Sequence, residues 1–291
     1  MLSLHTNAAS LSTQNAVSNT QRSLSSSLSR LGTGYRINSA MDDAAGLQIA
    51  TRLDAQTRGM AVAQRNTQNG ISMMQTAEGA FGEVTNILLR MKDLATEAST
   101  ASSSTEDKDA MQAEFDALGA ELGNIVKNTS FGGAGLFSDG TTTDGTGGKL
   151  SASMTFQIGA SDAETMDLDV SSKLSTIAAS FSSISANYSA ATTGSELATG
   201  ANAMIQTLSD ALDDVGTLRS ALGAASNRLD HVYNNLSNMS TNTAAAKSRI
   251  MDVDFASETA NMTSQQLLLQ AGTSMLKQSS SMSQLALSLL N

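Results

Sequence analysis

From Leu208 to Val253 the chain repeats every seven residues. Leu208, Val215, Leu222, Leu229, Leu236, Thr243 and Ile250 mark one position of the repeat. Ala211, Leu218, Ala225, Val232, Met239, Ala246 and Val253 mark the position three further on. Thr243 is the single polar residue in either series, and Asp, Asn, Ser, Arg and Thr fill most of the positions between. Such a repeat keeps one stripe turned toward a partner helix along its whole length, which specifies a coiled-coil seam. At about 1.5 Å per residue the helix runs roughly 65–70 Å, too long for an ordinary globular core. It therefore requires a partner of similar length.

A matching repeat begins at Leu53. Its first series reads Leu53, Met60, Thr67, Met74, Phe81, Leu88 and Ala95, and its second Ala63, Gly70, Ala77, Val84, Met91 and Ala98, with soft spots at Thr67 and Gly70. A shorter helix follows, with Met111, Phe115, Leu118, Leu122 and Ile125 on one face. The Ser102–Thr105 run supplies its turn and N-cap, and Asp107 and Asp109 suit its first turn. The first ~32 residues carry a thin apolar stripe, Leu4, Ala8, Leu11, Val17, Leu24, Leu28 and Leu31, interrupted by Gly32-Thr33-Gly34. Such a helix is marginal alone, because Ser, Thr and Asn are poor helix formers. Polar residues 254–265 precede a last run, Leu268, Ala271, Met275, Met282, Leu285 and Leu289.

Between the long helices the pattern changes. Ser130–Phe137 is followed by a Gly-, Thr- and Asp-rich run, Asp139–Gly148, which reads as loop. Met154–Ile158 and Met166–Val170 alternate apolar and polar, a β-hairpin signal near 151–170. Residues 171–200 are Ser-, Ala- and Thr-rich and give no clear element; the Ser/Thr runs at 141–143 and 179–193 are surface loop or sites for O-linked sugars. The expected fold class is mainly α. Long antiparallel coiled-coil helices are formed by both chain termini, with a small β-hairpin insert, in a rod-shaped subunit whose thin stripes call for neighbours.

Composition removes several classes of function. The chain has no Pro, Cys or Trp, so no proline kinks a long helix and no thiol serves as nucleophile or ligand. A net charge of −10 argues against nucleic acid as a partner. No run of about 18 apolar residues exists to span a membrane. Met1–Thr6 has neither a basic nor an apolar signal region. That predicts a cytoplasmic protein, or one exported without a cleaved signal. His5 and His231 are isolated and no convergent acid, base and nucleophile set exists, so neither a cofactor nor an enzymatic activity is expected. Asp42-Asp43 is better read as the start of the long helix than as a metal or catalytic pair, because carboxylates favour exposed helix N–H groups. The abundant Met fills seams.

Arg36-Ile37-Asn38-Ser39-Ala40-Met41-Asp42-Asp43-Ala44-Ala45-Gly46-Leu47 is similar to the N-terminal signature of bacterial flagellins. Thr217–Ala224, Asn227-Arg228, Ser248–Ala256, Gln270–Ser274 and Leu287–Leu290 resemble the C-terminal half of that family, and Phe156–Gly159 resembles its hairpin. The resemblance covers roughly residues 1–137 and 200–291. It implies a subunit of the flagellar filament, extracellular and exported through the flagellar apparatus without a cleaved signal. The implied domains are an inner terminal coiled coil, 1–55 with 248–291, and a rod domain, 56–247, with a three-helix bundle and the hairpin. No large outer domain is expected.

The resemblance also implies partners: further copies in a helical polymer, an export chaperone, the filament cap protein, the hook–filament junction protein and host innate immune receptors. Leu4, Leu11, Leu24, Leu28, Leu268, Met275, Met282, Leu285 and Leu289 are the implied filament-core and chaperone contacts. Arg36, Ile37, Asn38, Ser39, Asp42, Asp43 and Gly46 lie in the segment resembling that sensed by plant receptors, with Met41 where Lys is usual. Arg90, Leu94 and Glu114 match the positions bound by the animal Toll-like receptor for flagellin. Leu94 falls one residue before the seam position Ala95 and is expected to be exposed, where a subunit contact is the plainer role; Arg90 and Glu114 would otherwise be solvated helix charges. The nearest alternative function is a hook–filament junction protein, and a more distant one is a soluble coiled-coil binding module.

Overall fold

The computed structural model describes residues 7–190 and 192–288, with side chains to residue 282. Its helices are α1 (Ala8–Thr33), α2 (Ala44–Ala98), α3 (Thr105–Asn128), α4 (Ser171–Ile184), α5 (Glu196–Met251) and α6 (Phe255–Ser288). Its strands are β1 (Ser130–Phe131), β2 (Ala134–Gly135), β3 (Met154–Gln157) and β4 (Thr165–Leu168), paired β1 with β2 and β3 with β4, both antiparallel. The class is mainly α with a small hairpin. Residues up to Thr57 with those from Thr241 on make one compact unit, and Arg58–Ser240 make the other.

The 58–240 unit holds the main core. Met60, Met74, Phe81, Leu88 and Met91 of α2 are buried, as are Leu208, Val215, Leu222 and Leu229 of α5, so both heptad series face inward as their spacing requires. Met60 clusters with Leu236, and Glu78 pairs with Arg219 at 2.6 Å. Position along α2 rises as position along α5 falls, and the two helices are antiparallel. The soft spots have separate explanations. Thr67 is fully buried, but its hydroxyl donates to the Ala63 carbonyl at 2.8 Å and leaves no unpaired group. A Cβ on Gly70 would stand 3.0 Å from Phe156 and 3.1 Å from Leu229. The missing side chain makes room for the β3–β4 hairpin, whose register sets Met154 opposite Leu168 and Phe156 opposite Met166.

Ser104 caps α3, accepting from the Asp107 N–H while the Asp107 carboxylate accepts from the Ser104 N–H, both at 3.1 Å. The buried face of α3 runs through Gln112, Phe115, Gly119, Leu122, Gly123 and Val126, turned slightly from the expected one; Met111, Leu118 and Ile125 are half-buried. A Cβ on Gly123 would meet the Tyr188 carbonyl at 2.6 Å, so the small residues admit the 185–188 turn. Residues 171–184, which gave no clear element in the sequence, form α4, with Leu174, Ile177, Ala178, Phe181 and Ile184 buried. Phe181 meets the Tyr188 ring edge-on at 5.5 Å, and the Tyr188 hydroxyl donates to the Thr143 carbonyl at 2.5 Å.

In the other unit, α1 ends at Gly34, whose left-handed backbone (φ 75°) closes the helix. Two reciprocal bonds then tie the linker to the end of α5: Arg36 N–H donates to the Met251 carbonyl (2.6 Å) and Val253 N–H to the Gly34 carbonyl (3.0 Å). Asp43 caps α2, its Oδ1 accepting from the Gly46 N–H at 2.8 Å. Asp42 has a different task from its neighbour. Its Oδ2 accepts from the N–H groups of Asn38 (3.1 Å) and Ser39 (2.9 Å) and from the Ser39 hydroxyl (3.2 Å), closing the turn before the helix. Residues 255–265, polar by composition, are the helical start of α6, where Asp254 accepts from Ala256 N–H at 3.0 Å.

Candidate assembly surface

The first helix holds to the last through its small and polar residues. The Asn7 side chain accepts from the Ser10 N–H (3.1 Å) and donates to the Ser279 carbonyl (3.2 Å). Ser27, buried, reaches Gln265 at 3.5 Å. A Cβ on Gly272 would lie 2.7 Å from Val17, so glycine sets the close approach of α1 to α6. Arg30 extends toward Asp42 (3.8 Å) and the nearly buried Glu258 (3.9 Å). The α6 face against α1 thus includes Glu258, Gln265, Gly272 and Ser279, with Leu269 and Leu276 half-buried.

Other large apolar side chains of α6 flank that contact and stay exposed. Leu268, Met275 and Met282 expose 59%, 64% and 59% of their surface, and Leu267 and Phe255 are likewise exposed. The last heptad run is therefore not the seam with α1. The close α1–α6 approach runs through Gln265, Gly272 and Ser279, with Leu269 and Leu276 half-buried beside them, and Leu268, Met275 and Met282, each three residues further on, lie along the exposed flank of that face. Among the other implied filament contacts, Leu24 is buried, whereas Leu11 and Leu28 are half-exposed. Leu4 and Leu289 lie outside the described residues, as does the side chain of Leu285. The spacing had located the stripe on α6; Leu267 was missed, although the Leu267-Leu268-Leu269 run signals an apolar surface wider than one stripe.

The segment from Arg36 to Gly46 is a tightly bonded turn. The Arg36 guanidinium donates to the Ile250 carbonyl (3.0 Å), Ile37 is buried, and Asn38 donates from its side chain to the Tyr35 carbonyl (3.0 Å). The Asn38 and Ser39 N–H groups hold the Asp42 carboxyl below its ordinary range. Met41, at the outer edge of the turn, is 97% exposed.

On the 58–240 unit, Arg90 and Glu114 join α2 to α3 through a two-pronged ion pair, Nε to Oε1 at 2.7 Å and Nη2 to Oε2 at 3.0 Å. The bond raises the Arg90 pKa and lowers that of Glu114. They are not independent solvated charges. Leu94 departs from the expectation of an exposed side chain: it is only 2% exposed and belongs to the core. Leu94 shares that core with Phe115 and Leu122 of α3 as well as with α5 residues, and the exposed apolar neighbour of Arg90 is Leu89.

Among the described residues no group of three or more His, Cys, Asp or Glu side chains is placed to hold a metal ion, and no helix is long and apolar enough to cross a membrane.

Known proteins place these helices in a family. Residues 4–142 match the model of the bacterial flagellin N-terminal helical region, and residues 205–290 that of the C-terminal helical region. Flagellin D of Vibrio anguillarum is 32% identical, and polar flagellin F of Vibrio parahaemolyticus 33%, each alignment covering 99% of both chains. These alignments run over 374 and 384 residues against 291 here, so the relatives carry middle residues that this chain lacks. Among solved structures, Bacillus cereus flagellin is 32% identical over 63% of this chain and 94% of its own, with a TM-score of 0.45. A Vibrio parahaemolyticus protein assigned as flagellar hook-associated shares the fold at a TM-score of 0.55, over 72% of this chain and all of its own, but only 17% of its residues. The two terminal regions and the near-complete alignments agree: the chain belongs to the flagellin family and is a short-form structural subunit of the bacterial flagellar filament.

Proposed function

We propose that α1 and α6 line the filament core and that subunits meet there through the outward apolar stripe of α6. The exposure of Leu268, Met275 and Met282 along one flank of a helix already paired with α1 carries this reading. Removing such a stripe from water favours association by roughly 25 cal/mol per Å² of apolar area. In these terms residues 1–55 with 248–291 act as the inner domain and 56–247 as the rod domain. An export chaperone covers the stripe before assembly, the cap protein guides insertion, and the junction protein contacts the base of the polymer. The subunit has no enzymatic role. Export through the flagellar apparatus brings it outside the cell.

We further propose that free subunits are sensed by host innate receptors through the Arg90–Glu114 surface, with Leu94 supporting it from below rather than touching the receptor.

The deciding experiment is elongation of short filament fragments by purified subunit, followed by light scattering and electron microscopy. Leu268→Glu with Met275→Glu should stop elongation while leaving the circular dichroism of the 58–240 unit unchanged. Normal growth of that variant would remove α6 from the lattice contacts. Formation of small closed rings by the unaltered chain would favour the junction-protein alternative.

A further inference from the structure

The outward stripe of α6 combines apolar surface with chemistry that most buried seams lack. Two of its members are thioethers, Met275 and Met282, exposed at 64% and 59%, whereas Met60, Met74 and Met91 in the 58–240 core are all but inaccessible. Sulfur oxidation follows access. We propose that Met275 and Met282 are oxidation sites through which peroxides halt incorporation of the free subunit, and that assembly protects them. This rests on the reading of the stripe as a lattice contact.

The step is a two-electron oxygen transfer. A sulfur lone pair attacks one peroxide oxygen, the O–O bond breaks, the other oxygen leaves as water, and the thioether becomes a sulfoxide. The product carries a strong acceptor in the middle of a stripe made by Leu268, Ala271 and the two methionines. Neither Leu268 nor Ala271 has a side-chain donor to meet it, and Gln278, the donor between the two methionines, must itself give up water when the stripe is covered. Burying the group unpaired opposes association. Once the stripe is covered by another subunit, the same sulfurs are out of reach of the oxidant. The chemistry therefore acts on unassembled subunits and spares finished filament.

The test treats full-length subunit with hydrogen peroxide, maps sulfoxides by peptide mass spectrometry, and then measures elongation on untreated fragments. Met275 and Met282 should oxidise together with the fully exposed Met41, with Met60, Met74 and Met91 remaining reduced. Elongation should fall about tenfold or more, as expected for two unpaired polar groups buried per contact. Repair by methionine sulfoxide reductase should restore it. Met275→Leu with Met282→Leu keeps the apolar volume and should elongate at the same rate before and after treatment. Filaments treated after assembly should retain both thioethers. Undiminished growth by subunit carrying both sulfoxides would overturn the proposal, and so would equal loss of growth in the Leu variant, which would assign the effect to Met41 or another site. The stripe reading is tested apart: if the Leu268→Glu, Met275→Glu subunit elongates normally, that reading fails, and if it is blocked while oxidised subunit grows, only the oxidation proposal fails.

Discussion

Gly70 and Gly79 both lie inside α2, and their surroundings assign them opposite effects. A Cβ at Gly70 meets Phe156 and Leu229 at 3.0–3.2 Å, while at Gly79 it meets nothing within 4 Å. Gly70→Val should therefore destabilise the free subunit by about 1–3 kcal/mol through overpacking. Gly79→Ala should stabilise it by roughly 0.5–1 kcal/mol through helix propensity and a less flexible unfolded chain. Urea denaturation distinguishes them by midpoints shifted in opposite directions. Asp42 gives a pH-dependent counterpart. Its folded-state pKa is depressed below the ordinary 3.8 by the Asn38 and Ser39 N–H groups, so the stabilisation is complete above the unfolded value and fades as pH falls through the folded one. Melting temperatures of the parent chain and Asp42→Ala should differ at pH 7 and converge as the pH falls from 3.8 through the lowered folded-state value. At this scale the seam residues were legible because a seven-residue period fixes which positions face a partner. Leu94 was not, because the core it joins takes in Phe115 and Leu122 of α3 besides the α5 residues, and a single-partner period says nothing of a second neighbour.

Helix α4 shows what composition conceals at the scale of an element. Its five buried residues, Leu174, Ile177, Ala178, Phe181 and Ile184, follow helical spacing, but the Ser, Thr and Ala between them resemble a linker. Their burial against the rest of the unit, rather than propensity, holds the helix. Phe181→Ala should accordingly cost about 3–5 kcal/mol, because it empties a fully buried site and removes the edge-on contact with Tyr188. Far-ultraviolet circular dichroism during thermal melting would register the loss as an earlier transition. Ser104→Ala, which removes one half of the α3 capping box, should cost about 1 kcal/mol. Helix α6 shows the complementary limit. The heptad run from Leu268 to Met282 was plain in the sequence, yet periodicity gives the direction of a stripe on its own helix and not the identity of what faces it. The contact with α1 runs through Gln265, Gly272 and Ser279, polar or small residues that no apolar pattern marks, beside the half-buried Leu269 and Leu276.

Across the whole molecule, buried apolar side chains are unevenly shared. Leu24, Ile37 and Ala50 are the fully buried hydrophobic residues described outside 58–240, while that unit holds Phe81, Phe115, Phe137, Phe181 and a long row of Leu and Met. Local opening free energy follows such differences. In free subunit, amides of α1 and α6 should exchange with solvent at least about a hundredfold faster than those at 74–95 and 208–229, a gap of roughly 3 kcal/mol. Polymerisation should slow exchange most in α1 and α6, because the stripe carried by Leu268, Met275 and Met282 then becomes interior and its ordering is coupled to association. Hydrogen-exchange mass spectrometry on subunit and filament measures both states on the same peptides. Equal slow exchange throughout the free subunit would mean that the terminal pair is stable without neighbours. In that case the exposed stripe would not be the source of the order gained on assembly, and the contacts that drive polymerisation would have to be sought on the 58–240 unit.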